Sequence, residues 1–426
     1  MLVAVSVAAA PAWRSAEGQA AGVPPDSVDA NAAASAEHSG GPVEVSVDDP
    51  TVAAFARYLD VPIDDAASLL AVQQEAGRVE DRLVAEFPDS YGGRWWSYEE
   101  NRAKFGMTAN VAAAGKSVGT FERSELMDVV EVNYTLVELE TASRALGSII
   151  EKAGIPGIEA GVKTNLNSVV IGLPPPAERT PAHQAILDDA IKAYGNMIAT
   201  EDLPADWKLT PAACGTGSYE DFCDPPLRGG VGFSQPGGVC TAGFIAQSRT
   251  DTKRYVVSAG HCRSSTTAQF ASRQANGTVR NIGPWHSGNA GAPDDWMIAQ
   301  ITSTYWTTAN TVFVRANSAP PYPTARDENY TITADSNSAA GDFVCYSGRT
   351  TNTACGSVEA TGIGGGQGAV RVAYCIQQGD SGGPVYRLHT AYGINYAFGG
   401  TGAACRSYYV EIRDAENALN VNILLS

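Results

Sequence analysis

Gly379-Asp-Ser-Gly-Gly-Pro384 is the stretch on which the reading of this chain turns. Glycines on either side of a serine let the backbone turn tightly, present the hydroxyl, and leave peptide N–H groups facing a developing oxyanion. A serine hydroxyl is a weak nucleophile, so it needs a base, and the base needs an orienting acid. Of the 5 histidines, His261, His286 and His389 lie in the same half as Ser381. His261 ends the run Val256-Val-Ser-Ala-Gly-His-Cys262, directly after an apolar strand, a rigid place for a general base. His286 falls in a Gly- and Asn-rich loop and His389 in an expected hairpin turn. For the acid, Asp294-Asp295-Trp296-Met-Ile-Ala299 puts two carboxylates before another apolar strand. Asp295, against Trp296, is the one expected to be sequestered, with Asp294 a surface charge. The candidate set is therefore His261, Asp295 and Ser381, with the peptide N–H groups of Gly379 and Ser381 as oxyanion donors.

Working outward, the 426 residues divide into two differently built halves. Residues 1–228 carry 16 Lys and Arg against 34 Asp and Glu, whereas residues 229–426 carry 13 against 12, so the net charge of −17 belongs to the first half. Neither half has the basic surface that phosphate binding needs, which excludes a nucleic-acid partner. All 8 cysteines lie at or beyond Cys214. An even number clustered in one half points to an oxidising destination, and without paired C-x-x-C or His clusters no metal site is expected. No cofactor motif is present either. Short apolar runs separated by Gly, Asn and Pro turns, with one brief helix near 414–419, describe an all-β second half.

The order His261, Asp295, Ser381, with Ala-Gly-His-Cys262 and Gly-Asp-Ser-Gly-Gly383, resembles the chymotrypsin-like serine proteases over residues 229–426. Cys375 stands six residues before Ser381, and Cys345 and Cys355 enclose nine residues; both spacings are similar to the bacterial alpha-lytic protease and streptogrisin branch. The resemblance implies two antiparallel six-stranded β-barrels with the site in the cleft between them. It also implies the disulfides Cys240–Cys262, Cys345–Cys355 and Cys375–Cys405, leaving Cys214 to Cys223. Gly399 and Gly400 are the implied substrate-binding residues, and a hydrophobic or aromatic P1 residue the implied preference. In this branch a basic residue after the first cysteine of the Cys345 loop partners the aspartate before the nucleophile; here Tyr346 stands there, and Arg349 is expected to reach Asp380 instead.

The first half lacks such a constellation. Residues 1–21 are apolar and small, like a truncated signal segment, and 22–48 read as a flexible linker. Residues 49–172 form an α+β pattern. Helices are expected from Asp49 and from Asp64, strands at Arg94–Ser97, Met107–Val111 and Val129–Tyr134, a helix over Leu136–Glu151, and strands at Gly157–Thr164 and Ser168–Ile171. Residues 173–228 read as a linker and processing region. Phe87-Pro-Asp-Ser-Tyr-Gly-Gly-Arg-Trp95 and the strand-helix-strand-strand unit after it resemble the pro-region of the same protease branch. The resemblance implies a secreted, extracellular serine endopeptidase made as a zymogen. Its partners would be protein or peptide substrates and its own pro-region as folding assistant and inhibitor. After signal removal no membrane association is expected, and the expected state is a monomer. A binding protein on a protease scaffold, keeping its acidic half, is the alternative.

Overall fold

The computed structural model describes residues 45–204, 210–211, 225–235, 238–274, 277–314, 328–364 and 368–425. The expected signal segment, most of the 22–48 linker, and Cys214 and Cys223 lie outside the described residues.

In the first half α1 (Pro50–Leu59) starts where Asp49 accepts the Thr51 N–H at 2.7 Å, with Pro50 at the position that needs no donor. α2 (Ile63–Glu86) follows and buries Leu70, Val72, Ala76, Val79 and Leu83. β1 (Tyr91–Ser97) pairs antiparallel with β2 (Arg102–Met107). The expected strand Met107–Val111 is not formed: past Asn110, at φ 61°, the alanine-rich run Val111-Ala-Ala-Ala becomes helix α3 (Val111–Val118). Alanine loses little in a helix and packs poorly in a sheet, so propensity favours the helix. β3 (Met127–Glu131) lies parallel to β2. α4 (Leu136–Ala153) opens on the Thr135–Glu138 capping box and ends at Gly154, φ 61°. β4 (Glu159–Lys163) and β5 (Ser168–Leu173) form an antiparallel pair. Residues expected as linker after 172 instead fold into α5 (Pro181–Tyr194), capped by Thr180, and β6 (Ile198–Asp202), parallel to β5. Ile186 and Ala190 give α5 its narrow apolar contact with α4, β4 and β5. No helix among the described residues is long and apolar enough to cross a membrane.

Among the described residues the second half is two large β-units and a small three-stranded sheet, in which Thr308–Val314 lies between Glu328–Thr331 and Leu227–Gly229. The first is an eight-stranded sheet whose run Gly232–Gln235, Gln269–Arg273, Val279–Asn289, Trp296–Gln300, Arg254–Ser258 and Phe244–Ser248 carries Gly238–Thr241 at one end and Val421–Ile423 at the other. In the second unit Phe343–Gly348, Pro384–Arg387, Thr390–Gly399, Arg406–Glu411, Ala369–Val372 and Asn352–Ile363 close back on Phe343–Gly348 as a six-stranded barrel. The chymotrypsin-like class expected for this half is therefore present. The barrel does not stop there, because Thr361 pairs with Val162 and β4, β5 and β6 continue the same sheet.

A buried charge cluster joins the halves. Arg94 of β1 donates two hydrogen bonds to Asp342, at 2.7 and 3.0 Å, and a third to Glu80, at 2.9 Å. Arg387 donates to the same Asp342 at 3.0 Å and to the Gln73 carbonyl of α2 at 2.9 Å. Asp342 and Arg387 are fully buried. Burial alone would raise the Asp342 carboxyl, but the two guanidinium groups outweigh it and hold the group below its ordinary range. Around the cluster Phe55 and Tyr58 pack against Phe343 at a tilt of 41°, with ring centroids 4.9 and 5.1 Å away.

The C-terminal helix Ile412–Leu419 buries Glu416, whose carboxylate accepts the Ile423 N–H at 2.6 Å. Burial pushes this carboxyl up to about 7. A raised carboxyl contributes stability at pH values below its unfolded value and loses it as pH rises through the folded one. Full-length Ser381→Ala protein should therefore lose stability between pH 5 and pH 8, and Glu416→Gln should flatten that slope by on the order of 2–3 kcal/mol in urea unfolding.

Candidate active site

His261 occupies a short turn, Gly260–Cys262, at the end of strand Arg254–Ser258. The turn needs Gly260, since a Cβ there would come within 1.6 Å of the Asn289 carbonyl. The disulfide Cys240–Cys262 fastens it to strand Gly238–Thr241. The two sulfurs cluster with the His261 ring, but joined to each other they offer no thiolate to a metal. Asp295 is buried at the start of strand Trp296–Gln300. One of its oxygens accepts the His261 peptide N–H at 2.8 Å, and the other lies 2.7 Å from His261 Nδ1. Both carboxylate oxygens are acceptors, which puts the imidazole proton on Nδ1 and leaves Nε2 to accept. Nε2 stands 2.8 Å from Ser381 Oγ. Asp294, the neighbouring carboxylate, is half-buried outside this line. His286 packs on the Tyr255 ring at 5.1 Å, and His389 stacks on Tyr330 and meets the Thr331 carbonyl at 2.8 Å.

The serine turn is held from both β-units. Gly379 has φ 101° and Gly382 φ 85°, and a Cβ on Gly382 would meet Ser258 Oγ at 2.0 Å. Thr241, in the first unit, gives its hydroxyl to the Gly379 carbonyl and its N–H to the Ser381 carbonyl, both at 2.8 Å. Ser258 in turn donates to the Thr241 carbonyl at 2.9 Å. The Gly382 N–H is received by Asn395 O at 2.7 Å. These contacts hold the 379–380 and 381–382 peptide planes; the planes that carry the Gly379 and Ser381 N–H groups are held by the Thr350 hydroxyl on the Gln378 carbonyl at 2.8 Å and the Gly383 N–H on the Asp380 carbonyl at 2.9 Å. Sequence reading missed Thr241, and its place beside Cys240 gives no signal of a bond to residue 379.

Asp380 corrects a second expectation. Its carboxylate accepts the N–H groups of Thr350, Thr351 and Gln377 at 2.8, 3.1 and 2.9 Å and the Thr351 hydroxyl at 2.6 Å. Neutral donors thus do what Arg349 was expected to do. The Tyr346 hydroxyl lies 2.5 Å from Thr351 Oγ1, so the tyrosine in the basic residue's place braces one of those donors. Burial pushes the Asp380 carboxyl upward, with the donors pulling the other way.

Along the cleft, strand Thr390–Gly399 carries Tyr396, whose carbonyl lies 3.5 Å from Ser381 Oγ. The N-terminal half's own Thr210 and Pro211 pair antiparallel with Phe398 and Ala397. This pairing falls just before the expected Gly399 and Gly400; Gly399 ends the strand opposite Arg406, and Gly400 turns away at φ 76°. The disulfides Cys345–Cys355 and Cys375–Cys405 brace the walls.

The family model described as Trypsin matches residues 228–419. Streptogrisin-C of Streptomyces griseus is 26% identical over 393 residues, spanning 88% of this chain and 74% of that protein. The crystal structure of a Nocardiopsis protease is 26% identical with a TM-score of 0.37, covering 46% of this chain and 98% of that one. A glutamic acid specific serine protease, described as using a histidine triad in substrate binding, is 25% identical with a TM-score of 0.38, covering 46% and 100%. Residues 228–419 thus match the trypsin family model, and together with the likeness to Streptogrisin-C this match supports a serine endopeptidase hydrolase.

Proposed function

We propose that the chain is a secreted endopeptidase made as a zymogen, in which Ser381 is the nucleophile, His261 the general base and Asp295 the orienting acid. The hydrogen-bonded line Asp295–His261–Ser381, at 2.7 and 2.8 Å, carries this reading. His261 takes the hydroxyl proton as Ser381 Oγ attacks a peptide carbonyl, and Asp295 stabilises the imidazolium. The N–H groups of Gly379 and Ser381 receive the oxyanion, each such donor being worth about 3–4 kcal/mol. His261 then protonates the leaving amine, and water repeats the cycle on the acyl-enzyme. An apolar P1 residue is the proposed preference.

Residues 45–204 would assist folding and inhibit until cut. In support, they continue the barrel sheet through Val162, and Thr210–Pro211 lie along the strand that a substrate backbone would use. Release would follow cutting between Pro211, paired with the cleft strand, and Leu227, paired with the protease strand Thr308–Val314. Export accords with the three disulfides and with the likeness to Streptogrisin-C.

A serine-directed phosphonate should label the processed wild-type protein at Ser381, and Ser381→Ala should remain unlabelled and uncut, as mass spectrometry would show. Labelling of Ser381→Ala would exclude the assignment. Thr241→Val should lower kcat by about 10²-fold with little change in KM, because the serine turn loses its fastening. Hydrogen bonds to charged groups are worth about 1.5–3 kcal/mol, and Asp342 keeps Arg387, so residues 45–211 carrying Arg94→Met should inhibit the processed protease about 10- to 10²-fold more weakly than wild type.

A further inference from the structure

On the cleft side of the closed barrel sits a cation whose main partners come from the other half of the chain. Arg371, in strand Ala369–Val372, is buried. Its guanidinium is met by Glu159, by Glu201 at 2.7 Å, and by Glu359 at 3.1 Å. The other oxygen of Glu159 accepts the Tyr408 hydroxyl at 2.8 Å. Glu359 is shared, its second oxygen being held by Arg406 at 2.6 Å.

The register places this group beside the substrate path. Arg371 is opposite Tyr408, Tyr408 opposite Ala397, and Ala397 opposite Pro211. Directly opposed residues project to one face of a sheet, with about 5 Å between strands, so Arg371 begins about 15 Å from a peptide lying where Pro211 lies. An extended arginine side chain, an acidic side chain and the hydrogen bond between them together span about that distance. The hairpin bearing Arg371 also reaches the loop before Asp295, since a Cβ on Gly364 would sit 3.3 Å from Pro293. Thr210 and Pro211 pair with Phe398 and Ala397, so the chain direction runs toward Tyr396, beside Ser381. The face in question therefore borders the part of a bound peptide N-terminal to the bond attacked.

We propose that Arg371 and Tyr408 form a socket of the processed protease for an acidic side chain of its peptide substrate, and that Glu159 occupies this socket until the N-terminal region leaves. The proposal rests on the zymogen reading above. Departure of the N-terminal region removes Glu159 and Glu201; among the described residues Arg371 then keeps Glu359, which Arg406 also uses. Two cations facing one carboxylate leave a net positive site, and a substrate carboxylate would regain the guanidinium fork and the phenol O–H that Glu159 uses now.

The test uses full-length chain that has processed itself, assayed on peptides with Glu, Gln or Lys placed two, three or four residues before the scissile bond. At one position Glu should exceed Gln in kcat/KM by about tenfold and Lys should be worst, and the Glu preference should vanish in Arg371→Gln. Equal rates for Glu and Gln, or a preference that survives Arg371→Gln, would overturn the socket while leaving the protease reading intact. Because Arg371→Gln removes contacts used in folding, Tyr408→Phe and salt provide a second measure. The wild-type Glu preference should shrink from about 0.05 M to about 0.5 M salt, and Tyr408→Phe should reduce it several-fold. A preference indifferent to both would also overturn the socket. If protein freed of its N-terminal region cleaves no peptide at all, the zymogen reading fails and takes the socket with it.

Discussion

The burial of one carboxylate, Asp380, constrains everything around the active serine. An ion removed from water must be met on all sides, and here three peptide N–H groups and one hydroxyl converge on it. Those donors come from the turn at 350–351 and from Gln377, so satisfying the charge ties the hairpin of strand Phe343–Gly348 to the segment that leads into Ser381. Thr241 then locks the same segment to the first β-unit. The hydroxyl of Ser381 is placed opposite His261 by two β-units that each hold one end of the geometry, and a shift of either would be felt as a lost hydrogen bond.

The N-terminal half exploits the same architecture by extending it. A closed barrel has no spare edge within its ring, yet strand Asn352–Ile363 runs beyond the ring far enough for Thr361 to meet Val162. Backbone pairing supplies direction, and the side-chain contacts supply selectivity: Arg371 with Glu159 and Glu201, Arg94 with Asp342, and Phe343 under Phe55 and Tyr58. The acidic composition of the first half thereby acquires specific partners, although most of that charge faces water.

Much of this was legible in residue order. Gly-Asp-Ser-Gly-Gly383, His261 after its apolar strand and Asp295 before Trp296 are local patterns, and the structure holds those three side chains in one hydrogen-bonded line. The cap Asp49-Pro50 announced its helix for the same reason. What escaped was non-local or thinly encoded. Helix Pro181–Tyr194 buries little beyond Ile186 and Ala190, so its stripe is faint between prolines that suggest a linker. The donors to Asp380 are mostly peptide groups, which no residue type advertises, and the Tyr346–Thr351 contact replaces a charge with a relay of hydroxyls.

The cluster at the junction of the halves has an arithmetic of its own. Arg94 and Glu80 belong to the N-terminal half, Asp342 and Arg387 to the protease. Separated along that junction, the four ions fall into two pairs of opposite sign, each already in contact within its own half at 2.9 and 3.0 Å. Parting therefore strands no solitary charge in either product. What is lost is the pair of short bonds from Arg94 to Asp342 together with the contacts of Gln73 to Arg387 and to the Phe343 N–H. The joint is tight while assembled, and electrically self-sufficient on both sides once it opens.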